Sequence, residues 1–294
     1  MNREDFPILE SGLIYFDNGA TTLKPKQVIE AMEDYYYHYP ANIHRGDYQI
    51  SLQASDAYEE TRNIVADFIH ANHPKEVVFT AGSTDSLNRI VFGFMADYLN
   101  EGDEVLITKA EHASNVLPWL ELAKQKKIKV TFMPLNANHE LTLDIVKKSI
   151  TKHTKVISIA AVTNVVGDIR PIHEIGKLAA AKNILFVVDG AQSVAHMPTD
   201  VEKDHIDFLA FSAHKMLGPT GVGVLYAKEK YLEALRPLTF GGGMNQSFEE
   251  DGSVEYKSIP TRLEGGTPPI AEVIGLGAAV KYLQSIGMDK IASY

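Results

Sequence analysis

The sequence predicts an α/β fold, a mostly parallel sheet with helices on both faces. Seven short apolar segments occur along the chain, and segments with helical periodicity separate several of them. Several apolar segments are hydrophobic at both alternating sets of positions, which is typical of strands covered on both faces. Strands that alternate with helices need crossover connections, and these favour parallel pairing.

Apolar segments bounded by turn-forming residues define the predicted strands. Their ranges are 76–80, 104–108, 129–133, 155–162, 184–189, 208–212 and 221–226. Each has four to eight residues, the usual length of a strand in a globular protein.

Helical periodicity is clearest between the first two strands. Apolar residues recur there at spacings of three and four, at Leu87, Ile90, Val91, Phe94, Met95 and Tyr98. This spacing predicts an amphipathic helix with one buried face. A second helix is predicted after "TPPI", from about Ile270 to Ile286, and Gly287 ends it.

Composition excludes several classes of function. The chain has 294 residues, of which 45% are hydrophobic, and 28 Lys and Arg face 38 Asp and Glu, for a net charge of −10. A negative charge of this size would repel a polyphosphate chain, so nucleic acid is not expected as a partner. No apolar stretch approaches the roughly 18 residues of a membrane span, and "MNREDFPILESG" does not resemble a secretory signal. A cytoplasmic protein is expected.

The chain contains no cysteine. Disulfides, thiolate metal sites and a thiol nucleophile are therefore excluded within these residues. The histidines show no H-E-x-x-H or similar spacing, so a catalytic metal is not expected either.

Polar side chains follow five of the predicted strands at their carboxyl ends, where open α/β sheets bind ligands. In chain order they are Ser83 and Thr84, His112, Asn164, Asp189 with Gln192, and Ser212 with His214 and Lys215. Taken alone, each has an ordinary explanation; a lysine in "SAHKMLG", for example, is usually a solvated surface residue. Their occurrence together at one edge of the sheet predicts a ligand site.

One ligand, pyridoxal 5′-phosphate, accounts for all these groups. Its aldehyde requires an amine, supplied by Lys215, and its pyridine nitrogen requires a carboxylate, supplied by Asp189. Its phosphate requires hydroxyl groups and a helix N-terminus, as Ser83 or Thr84 provides after the first strand. Ser212 adds a hydroxyl, and a flat side chain such as His112 can stack on the ring.

The stretch "VVDGAQSVAHMPTDVEKDHIDFLAFSAHKMLGPTGVGVLY" resembles the lysine-site region of class V aminotransferase-fold enzymes, most closely the cysteine desulfurases of the SufS type. The resemblance also includes "YFDNGATT", "PANIHRGDY", "EHASNVLPW", "TNVVG" and "LEGGTPP", and so covers nearly the whole chain. It implies the large domain of a pyridoxal-phosphate-dependent transferase, of the aspartate aminotransferase-like fold. These motifs specify the fold and the cofactor more strongly than the substrate, because selenocysteine lyases share much of the pattern.

The resemblance also implies a role for each residue around the ring. Lys215 would bond to the cofactor aldehyde and then move protons, and Asp189 would pair with the ring nitrogen. Gln192 would contact the phenolic oxygen. His112 would stack on the ring and assist proton transfer, and Asn164 would approach the ring substituents or the substrate carboxylate.

The resemblance implies that the phosphate is held by Thr84, Ser212 and His214, with Thr267 of "GGTPP" reaching over from a second subunit. A homodimer follows from that last contact. The substrate would be L-cysteine, converted to L-alanine with sulfur transfer for iron–sulfur cluster assembly, and a sulfur-acceptor protein is an expected partner.

Desulfurases of this type use an enzyme cysteine and a substrate-binding arginine from a smaller C-terminal domain. The expected division is therefore an N-terminal segment at 1–15, a cofactor-binding large domain at 16–265, and a connecting helix at 266–294 that begins a truncated small domain. Such a form is expected to have little activity alone. Two alternatives stay open: a selenocysteine lyase or another β-lyase, and a non-catalytic paralogue that binds the cofactor and modulates a partner.

Overall fold

The computed structural model describes residues 2–294 and contains a seven-stranded sheet. The strands are β1 (Val77–Thr80), β2 (Glu104–Thr108), β3 (Lys129–Met133), β4 (Thr154–Ala160), β5 (Leu185–Asp189), β6 (Phe208–Ser212) and β7 (Gly223–Ala227). All seven predicted strands are confirmed, with bounds shifted by at most two residues. A separate antiparallel pair consists of β8 (Asn245–Phe248) and β9 (Val254–Tyr256).

Strand order across the main sheet is β1-β7-β6-β5-β4-β2-β3. Neighbours from β6 to β3 pair in parallel, whereas β7 runs antiparallel to both of its neighbours, β1 and β6. Six strands therefore point the same way and β7 alone is reversed. The predicted mostly parallel sheet is confirmed.

Ten α-helical segments connect or flank the strands in the described part of the chain. They are α1 (Lys26–His38), α2 (Gln49–Phe68), α3 (Ser83–Asn88), α4 (Ala96–Tyr98), α5 (Leu117–Lys126), α6 (Leu143–Ser149), α7 (Ile172–Ala181), α8 (Glu229–Ala234), α9 (Ile270–Ile286) and α10 (Met288–Ser293). Short 3₁₀ turns include Ala113–Asn115 and Ala213–Lys215. Among residues 2–294, no helix combines the length and the apolar character that crossing a bilayer requires.

Each face of the sheet packs against its own layer of helices. On β5, Phe186 and Val188 join one apolar cluster, which includes residues of α1, α2, α7 and α9. Val187 points into the other cluster, with Trp119 of α5 and Leu232 of α8. The strands are buried on both sides, as their unbroken apolar segments predict.

The helix after β1 differs from its predicted form. A π-helical turn, Arg89–Met95, separates α3 from α4. The first five apolar residues of the predicted stripe are buried, but Tyr98 is 39% exposed. A π turn advances more residues per turn than an α-helix, so it rotates the residues that follow it away from the stripe.

Helix α9 begins at Ile270 and ends at Ile286, with Gly287 as its C-cap, as predicted. It packs against α1 and α2, and most of its apolar side chains belong to the same core cluster as the main sheet. The proposed domain boundary near residue 266 stays a prediction.

Candidate active site

A cavity of about 350 Å³ opens at the carboxyl ends of β4, β5 and β6. It is lined by Gly19, Ala20, Ser83, Thr84, His112, Ala160, Val162, Asn164, Asp189, Ala191, Gln192, Ser212, His214 and Lys215. Its volume is in the range of roughly 300–1,000 Å³ that is usual for small-molecule sites. Chains that run in parallel bring their carboxyl ends to one edge, and for this reason residues far apart in sequence meet here.

Nine of the ten predicted site residues line this cavity. Thr267 does not line it; within this chain Thr267 accepts a hydrogen bond of 3.3 Å from the amide of Asn42. Since its predicted role places it in the site of a second subunit, that role is untouched by its position in one chain. The functions assigned to all ten residues stay predictions.

Asp189 lies at the floor of the cavity, at the last position of β5, and is only 4% exposed. Its Oδ1 accepts a 3.0 Å hydrogen bond from the backbone N–H of Ala191, and Oδ2 accepts none from the residues 2–294. Burial raises the pKa of Asp189; the Ala191 hydrogen bond opposes this change, and the negative charge of Glu111 adds to it. Asp189 is therefore a carboxylate that a cationic ring would stabilise.

Lys215 follows β6 on the 3₁₀ turn Ala213–Lys215 and is half-buried at the cavity wall. Within the described chain no carboxylate lies within 4 Å of its amine. The positive charge of Lys215 opposes part of the rise that burial causes in the pKa of Asp189. The amine after β6 and the carboxylate at the end of β5 thus face the same cavity.

Hydroxyl and amide groups gather at the amino end of α3. The Ser212 hydroxyl accepts a 2.8 Å hydrogen bond from the backbone N–H of Ser83 and donates one of 2.9 Å to its hydroxyl. Gly82 has φ of 148°, and a Cβ on Gly223 would lie 2.5 Å from the Cα of Gly82. Both glycines are needed, because the loop after β1 crosses directly over the start of β7.

His112 is linked to Thr84 through Ser114, a residue that the sequence did not single out. His112 Nδ1 accepts from the Ser114 N–H at 3.2 Å and lies 3.0 Å from the Ser114 hydroxyl, which lies 2.7 Å from that of Thr84. With Nδ1 as acceptor, Nε2 carries the proton in the neutral ring. A serine two residues after a histidine is the only sequence signal for this link.

The segment of residues 19–24, which precedes α1, contributes to one wall of the cavity, and the sequence did not predict this position. Gly19 and Ala20 line it, and the Gln192 amide donates a 2.8 Å hydrogen bond to the Gly19 carbonyl. Gln192 retains a second N–H for a ligand. Gly19 and Ala20 carry no chemical group, so only the fold reveals their position.

The residues present fit pyridoxal phosphate. A buried carboxylate with one unpaired oxygen faces a cavity that also holds an amine, and hydroxyls cluster at a helix N-terminus on the same cavity. These are the partners that the ring nitrogen, the aldehyde and the phosphate require. No group of histidine, aspartate and glutamate among residues 2–294 is arranged to hold a metal ion.

Comparison with known families supports the same conclusion. The family described as Aminotransferase class-V matches residues 14–294. This chain belongs to that family. Class-V aminotransferases use pyridoxal phosphate, which confirms the predicted cofactor.

Curated relatives of this chain include probable cysteine desulfurases. A protein of Halalkalibacterium halodurans named "Probable cysteine desulfurase" is 43% identical across an alignment of 294 positions that covers 98% of this chain and 72% of the relative. The predicted membership of the cysteine desulfurase family is thereby confirmed.

Two solved structures extend the likeness to the coordinates. The apo cysteine desulfurase of Thermococcus onnurineus NA1 has a TM-score of 0.93 and 42% identity, over 98% of this chain and 71% of that one. The Escherichia coli cysteine desulfurase CsdA has a TM-score of 0.90 and 37% identity, over 98% and 72% of the two chains. The predicted fold is confirmed.

Proposed function

We propose that this protein binds pyridoxal phosphate through Lys215 and releases sulfur from L-cysteine, leaving L-alanine. The observation that carries the proposal is the cavity shared by Lys215 and Asp189. The names of the relatives support cysteine as the substrate. Delivery of the sulfur to iron–sulfur cluster assembly, action as a homodimer and a cytoplasmic location are parts of the proposal.

When bound, the cofactor supplies an electron-withdrawing ring that stabilises negative charge on an attached amino acid. Asp189 Oδ2 would keep a proton on the ring nitrogen, and the low exposure of Asp189 would strengthen that interaction. Lys215 Nζ would hold the cofactor covalently, and with substrate bound the same amine would take and return the proton of the substrate Cα.

Phosphate is held at the amino end of α3. Ser83, Thr84 and Ser212 donate hydroxyl or amide hydrogens there, and His214 adds a ring N–H. Burial lowers the pKa of His214, and the positive charges of Lys215 and Lys24 lower it further. At the other end of the cavity, Gln192 donates to the phenolic oxygen.

Two more side chains act on the ring and the substrate. His112, which lines the same cavity, would pack against the cofactor ring, and its Nε2 proton would be available for transfer to the substrate. Asn164, which follows β4 and is exposed at the rim of the cavity, donates to the ring substituents or to the carboxylate of the substrate.

The sulfur acceptor lies outside these residues. A desulfurase passes the sulfur of cysteine to a thiol, and the 294 residues contain no cysteine. We infer that a thiol from another polypeptide segment, or from an acceptor protein, receives the sulfur. Added thiol acceptor is therefore a component of any assay of this chain.

Variants of Thr267 test whether each cavity contains residues from both subunits. We infer that residues 16–265 form the cofactor-binding domain, that 266–294 connect to a small domain, and that Thr267 serves the partner's cavity. A mixture of Lys215→Ala and Thr267→Ala chains then forms mixed dimers in which one cavity has both residues intact. Covalent cofactor capture with wild-type affinity should reappear in the mixture. If Thr267 served its own cavity, every site would lack one residue and nothing would be regained.

Borohydride reduction tests the covalent assignment. We expect pyridoxal phosphate to be fixed to the peptide that contains Lys215 in the wild type, with no fixed cofactor in Lys215→Ala. Lys182→Ala, a change at an exposed lysine, is the matched control and should be labelled as the wild type is. Mass spectrometry of the digested protein locates the adduct. A labelled Lys215→Ala protein would refute the lysine assignment.

Product analysis identifies the reaction. Alanine together with sulfur on an added thiol supports desulfuration. Pyruvate and ammonia would instead indicate β-elimination, which needs no thiol. Bound cofactor without either set of products, in the presence of thiol, would favour the non-catalytic alternative.

A further inference from the structure

The carbonyl oxygen of His214, the residue before Lys215, joins the N-terminal segment of residues 19–24 to the turn that carries the lysine. It accepts hydrogen bonds from the Thr22 N–H at 2.9 Å, the Thr22 hydroxyl at 3.0 Å, the Thr21 hydroxyl at 3.2 Å and the Lys24 amine at 3.0 Å. The Thr22 hydroxyl also accepts from the Leu217 N–H at 2.9 Å. Both sides of Lys215 are thus tied to the N-terminal segment.

Lys24 is the charged member of this junction. Its Nζ also donates to the Thr22 carbonyl at 2.5 Å and lies 3.5 Å from the Thr22 hydroxyl. No carboxylate within residues 2–294 forms an ion pair with it at 4 Å or less. Burial lowers the pKa of Lys24 to about 8. The nearby titratable group is His214, whose pKa the positive charge of Lys24 lowers.

A half-buried ammonium group without a carboxylate partner is unfavourable unless its hydrogen bonds compensate for the hydration that it loses. Lys26, two residues on, shows the alternative: its side chain is 48% exposed, and its amine lies 3.9 Å from Asp5 Oδ1. Lys24 instead ends on backbone oxygens beside the cavity. Charged donors make hydrogen bonds roughly twice as strong as neutral ones, so the hydrogen bond from Lys24 holds the His214 carbonyl strongly in place.

We propose that Lys24 is a positioning residue for Lys215, fixing the turn Ala213–Lys215 at the distance from the N-terminal wall at which the Lys215 amine captures the cofactor. This inference rests on the proposed function, since it assigns Lys24 a part in covalent capture. Lys24 does not line the cavity and acts through the His214 carbonyl.

The same junction connects Lys24 to the opposite wall. The N-terminal segment also accepts the Gln192 hydrogen bond at Gly19, so one segment spans the cavity between the Lys215 turn and the turn after β5. Loss of the Lys24 amine leaves the Thr22 hydrogen bonds in place and therefore loosens the turn without removing it. The expected defect is slower capture by Lys215, not loss of the fold.

The test compares Lys24→Met with Lys24→Arg, which retains a charged donor, and with Lys26→Met, which removes the exposed charge nearby. The rate of formation of the borohydride-reducible adduct is measured at saturating pyridoxal phosphate. We expect Lys24→Met to slow it about tenfold or more, the equivalent of about 1.4 kcal/mol. Lys24→Arg should recover most of the rate, and Lys26→Met should match the wild type.

A second comparison separates positioning from general support of the cavity. In a Lys215→Ala background the cofactor binds without a covalent bond, and adding Lys24→Met should change its dissociation constant less than twofold. An equal loss of affinity with and without Lys215 would overturn the proposal, as would wild-type capture by Lys24→Met. If Lys24→Met does not fold, Lys24→Gln, which keeps an uncharged donor, takes its place. Failure of the wild type itself to form an adduct would refute the proposed function instead.

Discussion

Glu111 and Arg170 form an ion pair in which both side chains are completely buried. It lies directly behind the cavity floor: Glu111 Oε2 accepts from the backbone N–H of Ala160, which is the register partner of Asp189. Arg170 also donates to the Thr108 hydroxyl at 2.9 Å. The negative charge of Glu111 contributes to the raised pKa of Asp189, and Arg170 balances that charge.

Replacing Arg170 by methionine should strongly destabilise the protein. The change leaves the Glu111 carboxylate buried without its cationic partner, which costs about 3–5 kcal/mol of unfolding free energy. The double variant Glu111→Gln/Arg170→Met should recover about 2 kcal/mol of it, since the fully buried Glu111 charge is then absent. Denaturant unfolding measures both.

The control is Arg236→Met, which removes a pair with Asp97 that is more than half exposed, and it should cost about 1 kcal/mol or less. A double variant no more stable than Arg170→Met would show that the pair is not coupled.

Stability should fall in acid because of Glu104, a buried carboxylate at the start of β2. Burial by itself raises the pKa of Glu104. Hydrogen bonds from neighbouring side chains outweigh that effect and lower the pKa from 4.5 to about 2. The donors are Thr151, Thr131, Thr154 and Lys129. The folded pKa lies below the unfolded one, so the stabilisation is complete above about pH 4.5 and is lost as the pH falls toward 2.

The difference of about 2.5 units corresponds to about 3 kcal/mol at neutral pH. Glu104→Gln should remove most of this contribution and flatten the dependence of unfolding free energy on pH between 4.5 and 2. Glu101→Gln, at an exposed carboxylate, serves as the control. A Glu104→Gln protein with the wild-type slope in that range would contradict the assignment.

Asp189→Asn should separate cofactor binding from turnover. Asparagine keeps the size of the side chain but cannot hold a proton on the ring nitrogen, so cysteine turnover should drop about 100-fold or more while reducible adduct still forms. Alanine production and borohydride labelling measure the two effects. Asp204→Asn is matched to it, because burial also raises the pKa of Asp204, which lies outside the cavity. Unchanged turnover in Asp189→Asn would remove this carboxylate from the mechanism.

Ser212→Ala should weaken cofactor binding about tenfold, or about 1.4 kcal/mol. The substitution removes a hydroxyl from the phosphate end and leaves the Ser83 N–H without its acceptor. Fluorescence or absorbance titration with pyridoxal phosphate gives the dissociation constant. Ser149→Ala, which removes a hydrogen bond on α6 far along the chain, should bind as tightly as the wild type.

Strand positions could be predicted because both faces of the sheet are covered, so segments such as "ILFVVD" stand out as unbroken apolar runs. The reversed direction of β7 could not be predicted. β7 is as apolar and as fully buried as the parallel strands of the sheet, and its reversal depends on the short connection from β6. The π turn at Arg89–Met95 was equally hidden, since an apolar stripe of spacing three and four fits either helix until Tyr98.

Site residues were predictable where they carry chemistry at a strand end, as Asp189 and Lys215 do. Residues that act through shape or through the backbone were not. Gly19 and Ala20 form a wall without reactive groups, and Lys24 binds backbone oxygens, to which the sequence gives no signal. Arg170 pairs with Glu111 across 59 residues, and that pairing depends on the order of the strands.

The reversed direction of β7 also limits how this region can vary. Ser212 and Gly223 are register partners, so the ten residues between them form a closed connection anchored at both ends. One residue more or less in this connection would have to be absorbed by the turn that carries Lys215, because both ends are held by the sheet. Length changes among relatives should therefore be absent from 213–222 and tolerated at the exposed tip between β8 and β9, where no such constraint applies.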